Sequence, residues 1–195
     1  MLVDCKLTFK EHVQYITKKV AKKLQFLYRI SQYISVYARV TVYKSIISPH
    51  FEYCGSILYF LNKSELCILQ KLQNRAMRLI LQCNRRTHIK LMLNTLSFMS
   101  VKQRILYNTI MFVFKIRAKM LPNYLYSRVT YVRDKHGYQT RQTDDFYVHF
   151  RKTNFSQNNL FFKGLNLFNS LPAQIKEVEN IGLFRRLVSD YVKGL

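Results

Sequence analysis

The stretch SELCILQKLQNRAMRLILQC, residues 64–83, decides the fold class. Leu66, Leu69, Leu72, Ala76, Leu79, Ile80 and Cys83 recur at helical spacing, so about 100° of rotation per residue gathers them on one face. Lys71, Arg75, Arg78 and Arg85, with Gln82 in line, fall on the opposite face. Ser64 is the expected N-cap. A helix with an apolar stripe and a cationic back needs a partner for the stripe, and the rest of the chain supplies candidates.

Upstream, Phe9, Val13, Ile16, Val20, Leu24, Leu27 and Ile34 keep one stripe along a long helix, with Lys18, Lys22 and Arg29 on the far side. Thr8 and Glu11 fit a capping box at its start. Ser35 is the expected cap of a second helix over residues 36–48. Pro49 then kinks or restarts the chain, and a short apolar segment runs to Phe60. Downstream, Ser100 and Gln103 form a second capping-box pattern. It opens a helix to about Lys119 that is apolar nearly all round (Ile105, Ile110, Phe112, Val113, Phe114, Ile116), as central helices are.

After Pro122 the texture changes to loops, one short hairpin around His136 and Gly137, and two short helices near residues 158–169 and 182–192. The expected fold is therefore mainly α: a helical bundle over residues 1–121, followed by a small, mixed, loop-rich part over residues 122–195.

The 195 residues suffice for one compact domain or one with a small appendage. With 49% hydrophobic residues, Gly 5 and Pro 3, the chain is neither a disordered tail nor a linker. Its formal net charge is +22. Residues 1–120 carry 21 basic and 4 acidic side chains, residues 121–195 carry 11 and 6, and no acid lies between Glu65 and Asp134. Local salt bridges cannot neutralise such a run, so a polyanion is the expected partner.

No basic segment followed by an apolar one marks a secretory signal, and no uncharged run reaches the roughly 20 residues of a membrane span. An intracellular chain, nuclear or cytoplasmic, with reduced and mostly buried cysteines is expected from Cys5, Cys54, Cys67 and Cys83. The sequons at Asn62 and Asn154 read as chance.

Catalytic constellations are missing from the pattern. Asp144-Asp145 is the one adjacent acidic pair, but it has no identifiable third carboxylate and reads as a solvated turn. Cys67, Cys83 and His88 lack paired zinc-ligand spacing. No nucleophile elbow, H-E-x-x-H or phosphate-cradling glycine loop occurs. Neither catalytic nor metal residues are assigned, and no cofactor is expected.

What remains is the basic stripe. Lys71, Arg75, Arg78, Arg85 and Arg86 would line roughly four helical turns, joined by Lys18, Lys22 and Arg29 on the first helix. Phosphate contacts are point-like and blind to sequence, so such a stripe suits backbone binding. Exposed tyrosines would add base stacking, although most of the 14 Tyr and 14 Phe are expected in the core. A membrane surface is disfavoured because the apolar faces are needed inside.

Several strings together resemble one family. Leu2-Val3-Asp4-Cys5-Lys6-Leu7-Thr8-Phe9-Lys10-Glu11-His12-Val13 is similar to the stretch after the polymerase palm of jockey-like non-LTR (LINE-type) retrotransposon reverse transcriptases. So are Tyr43-Lys44-Ser45-Ile46-Ile47-Ser48-Pro49-His50-Phe51-Glu52-Tyr53-Cys54 and Leu72-Gln73-Asn74-Arg75-Ala76-Met77-Arg78-Leu79-Ile80. Thr140-Arg141 and Phe168-Asn169-Ser170-Leu171-Pro172-Ala173-Gln174-Ile175-Lys176 resemble the tail of those polyproteins. Tyr59, Phe98 and Phe168 stand where that pattern carries Trp.

The resemblance implies a helical thumb and C-terminal extension, with the metal-binding palm lying before residue 1. The chain alone would then be no enzyme. It would be a truncated reverse transcriptase fragment holding RNA or an RNA–DNA hybrid by its backbone. The alternative is a protein-interaction module whose aromatic C-terminal part docks on a palm or another partner. An apolar face once covered by the palm would also favour self-association.

Overall fold

The computed structural model describes residues 2, 5, 8–53, 55–59, 61–135, 144–157 and 159–195. The protein is mainly helical. It divides into two compact units, residues 1–105 and 106–195, and the division falls inside one helix. The change of sequence texture near Leu121 lies within the second unit.

In the first unit, α1 (Lys10–Ile30) buries His12, Val13, Ile16, Val20, Leu24 and Leu27, the periodic stripe with one polar addition. The helix begins after Phe9, whose backbone is left-handed (φ 56°) and makes no side-chain cap. The expected Thr8 cap is thus displaced by one residue. The Phe9 ring is buried in the core, and that anchoring sets where the helix starts. Ile34 falls beyond the helix end, in the turn that follows.

Ser35 caps α2 (Val36–Val42) by accepting from the Ala38 amide at 3.3 Å. The chain then stays helical through Pro49, which restarts it as a new segment. A five-residue π segment, Tyr43–Ile47, leads into α3 (Ser48–Glu52) with Pro49 in its first turn. Widening the helix there accommodates a ring that offers no N–H and would crowd the preceding turn. A short α4 (Gly55–Leu58) follows.

Helix α5 (Lys63–Leu81) packs against α1, α2 and the next helix. Its cap is Asn62 rather than Ser64: the Asn62 amide donates to Glu65 Oε2 at 3.1 Å. Its buried set is Glu65, Leu69, Gln73, Asn74, Ala76, Met77 and Ile80, while Leu66, Leu72 and Leu79 sit at the edge of the core. The contact face is therefore rotated towards polar residues. Gln73 explains why: its Nε2 donates to the Met99 carbonyl at 2.7 Å. Gln70 links Gln73 and Asn74 (2.9 and 2.8 Å) to the Val101 amide (2.9 Å). A hydrogen-bonded polar row of this kind fixes register as well as contributing stability. Tyr43 lies under it, and burial pushes its hydroxyl pKa up to about 12.

Helix α6 (Ile89–Leu96) has no counterpart in the sequence reading; His88 caps it by accepting from the Lys90 amide at 3.3 Å. Helix α7 (Val101–Arg117) opens with both limbs of the expected Ser100–Gln103 capping box. Val101 and Ile105 belong to the first core, while Ile110, Met111, Val113 and Phe114 belong to the second. An all-round apolar helix follows from serving two cores.

The second unit continues with α8 (Asn123–Tyr126), α9 (Asn154–Gln157), a π segment Leu160–Gly164 running into α10 (Leu165–Asn169), then α11 (Ala173–Lys176) and α12 (Ile181–Gly194). The expected helix near residues 158–169 is thus a π segment and a short α-helix in series. The expected hairpin tip at His136 and Gly137 lies outside the described residues; Tyr131 and Phe146 on either side form one antiparallel bridge. The core is aromatic. Phe114 and Phe184 stack at 4.0 Å between centroids, and Phe168 meets Phe146 edge-on at 5.4 Å. Asn169 bridges the Phe146 backbone, accepting from its N–H (3.1 Å) and donating to its carbonyl (2.8 Å). Phe168, Asn169 and Leu171 of the tail string are thereby structural residues of this unit.

Candidate nucleic-acid interface

The first unit brings the C-terminal ends of α1 and α5 side by side. Gln82 ends α5 with a left-handed backbone (φ 50°), and its side-chain amide donates to the Ser31 carbonyl at 3.1 Å. Arg39 is buried nearby, with Nη1 on the Ile80 carbonyl (2.7 Å) and Nε and Nη2 on the Ile34 carbonyl (3.1 and 2.9 Å). It satisfies one carbonyl that the end of α5 leaves bare and one in the turn after α1. Sequence periodicity gave no sign of this role.

Between these ends runs a cleft of about 410 Å³. One wall is Tyr28, Ser31 and Gln32 at the end of α1. The other is Arg75, Arg78, Leu79 and Gln82 of α5, continued by Cys83 and Arg85. Among the described residues, a second recess is lined by Arg75, Arg78 and Arg85. Arg75 and Arg85 are exposed and Arg78 is half-buried. Arg78 Nε is shielded from solvent and has no hydrogen-bond partner.

Of the eight predicted cations, the cleft gathers Arg75, Arg78 and Arg85. Lys71 and Arg86 are exposed but do not line it, and Lys18, Lys22 and Arg29 lie along α1 outside the core. Among the described residues none of the eight forms an ion pair. The acids that do pair serve other bases: Glu52 with Arg104, Asp134 and Asp144 with Arg133, Asp145 with Lys176. Three guanidinium groups at one opening repel each other, and an unmade Nε–H bond costs further free energy. A bound oxyanion relieves the repulsion.

The other candidates resolve differently. Asp145 is no solvated turn: it is largely buried and accepts from Lys176 Nζ at 2.8 Å, while Lys176 also donates to the Asn169 carbonyl. Asp144 is exposed beside Arg133 at 3.2 Å. Cys5 and Cys67 are exposed rather than buried, and Cys83 is half-buried with Sγ 3.6 Å from Met92 Sδ. Many aromatic rings are outside the core, among them Phe26, Tyr28, Tyr33 and Tyr37. Among the described residues no helix is long and apolar enough to cross a membrane. Comparison with protein-family models, curated proteins and solved structures returns no match.

Proposed function

We propose that this chain is a thumb-like, retrotransposon-derived reverse transcriptase segment that binds RNA or an RNA–DNA hybrid by its phosphate backbone, with no catalytic step of its own. The observation that carries the binding is the cleft where Arg75, Arg78 and Arg85 meet with no carboxylate paired to them among the described residues. The origin rests on the ordered strings that resemble the post-palm region of jockey-like elements. The exposed cations of α1, Lys18, Lys22 and Arg29, add to the positive charge that attracts a strand.

A salt titration of RNA binding tests this. Neutralising about six phosphates makes affinity fall about a thousandfold between about 50 and 200 mM salt, and the paired change Arg75→Gln and Arg85→Gln lowers the logarithmic salt slope by about two. A flat titration refutes the reading. Salt-insensitive binding to a polymerase palm, without nucleic-acid binding, points instead to a docking module.

A further inference from the structure

Tyr28 changes what the arginine cleft can hold. It stands on the wall facing Arg75 and Arg78, and 60% of it is open to solvent. A ring of that size left exposed at the lip of a cationic cleft offers an apolar face within reach of a group whose phosphate sits among the guanidiniums. The chain leaving that wall continues the pattern: Gln32 lines the cleft, Tyr33 follows it at 85% exposure, and Tyr37 in the first turns of α2 is 83% exposed. Cations paired with open aromatic rings are the arrangement that holds single strands, because a ring can stack only on a base that is not enclosed in a duplex.

We infer that the cleft is a single-strand site: one phosphate is held by the guanidinium groups of Arg75, Arg78 and Arg85, and the adjoining unpaired base stacks on Tyr28. The inference rests on the nucleic-acid reading above and narrows its ligand from backbone in general to an unpaired strand. A duplex would offer the same phosphates and leave Tyr28 unused. The Gln82 bond to Ser31 holds the two walls together, so the phosphate and base positions are set by the ends of α1 and α5.

Three DNA probes of equal length separate the contributions: oligo-thymidylate, the same backbone with abasic sugars, and a duplex. Fluorescence anisotropy at fixed salt is expected to give the abasic strand a Kd about tenfold weaker than oligo-thymidylate, with the duplex also weaker. Tyr28→Ala removes the gap between thymidylate and abasic strands, while Tyr28→Phe keeps it. Arg78→Gln weakens both strands alike and reduces the salt slope by about one. Circular dichroism melts confirm that each variant is folded; Tyr28→Phe preserves the ring and serves as the control. Equal affinity for abasic and thymidylate strands, or tighter binding of the duplex, overturns the single-strand site while leaving backbone binding in place. Absence of salt-dependent binding to all three probes and to an oligouridylate of the same length overturns the nucleic-acid reading itself.

Discussion

At the scale of single residues, two histidines carry a pH signature. His50 Nε2 lies 2.6 Å from Lys23 Nζ, which also donates to the Ile46 carbonyl. Burial first, and then repulsion from Lys23 and Lys19, hold its pKa below the ordinary value of 6.5. His12 is shifted the same way, chiefly by burial; its Nδ1 accepts from the Leu2 amide, and its Nε2 is buried without a partner. Both rings are therefore harder to protonate in the folded protein than in the unfolded chain. The unfolded chain binds more protons as pH drops, so stability is complete above about 6.5 and declines below it. Melting temperatures measured from pH 8 to pH 5 should fall on the acid side. In a protein carrying both His12→Gln and His50→Gln the decline should be markedly shallower. An unchanged acid slope in that double variant would exclude these rings as its source.

At the scale of elements, Arg39 of α2 ties the last turn of α5 to the turn after α1 through the Ile80 and Ile34 carbonyls, which periodicity cannot see. Replacing it with Leu strands the Ile80 and Ile34 carbonyls and should cost about 2–3 kcal/mol in urea unfolding. Arg29→Leu on the outer side of α1 should change stability by less than about 0.5 kcal/mol. A loss at Arg39 no larger than at Arg29 would show that water replaces its bonds. The same contrast marks what local sequence can and cannot reveal. The stripes of α1 and α5 and the capping box of α7 were legible because apolar spacing and local capping are properties of one helix. The Asn62–Glu65 capping box is equally local, and the choice of Ser64 overlooked it; the rotation of α5 towards Gln73 and Asn74 and helicity through Pro49 depend on partners remote in sequence or on a widened turn. Helix α6 is eight residues long, below the length at which a stripe stands out. The cleft was half legible: three of its arginines lie on the predicted stripe, but Tyr28 faces them only because α1 and α5 end together.

At the scale of the whole molecule, the charge of +22 acts on stability as well as on binding. Only 10 carboxylate side chains face 32 Lys and Arg, and the ion pairs among the described residues leave Arg75, Arg78 and Arg85 uncompensated at one opening. Like charges brought together on folding are farther apart in the unfolded chain, so their repulsion subtracts from the folding free energy. Dissolved salt weakens that repulsion, with most of the relief complete by about 0.15 M, where the Debye length is about 8 Å. The melting temperature should therefore rise by a few degrees as sodium chloride increases to that level and then level off. Nucleic-acid affinity should fall over the same interval, since the same ions compete for the same guanidinium groups. A bound polyanion should raise the melting temperature most at low salt, where repulsion is strongest and binding tightest. Differential scanning fluorimetry with and without an oligonucleotide across a salt series reads both effects at once. A melting temperature that is flat or falling below about 0.15 M salt would mean that the cations are already far enough apart in the folded protein, and mutual repulsion of its guanidiniums would no longer explain why the arginine cleft attracts a phosphate.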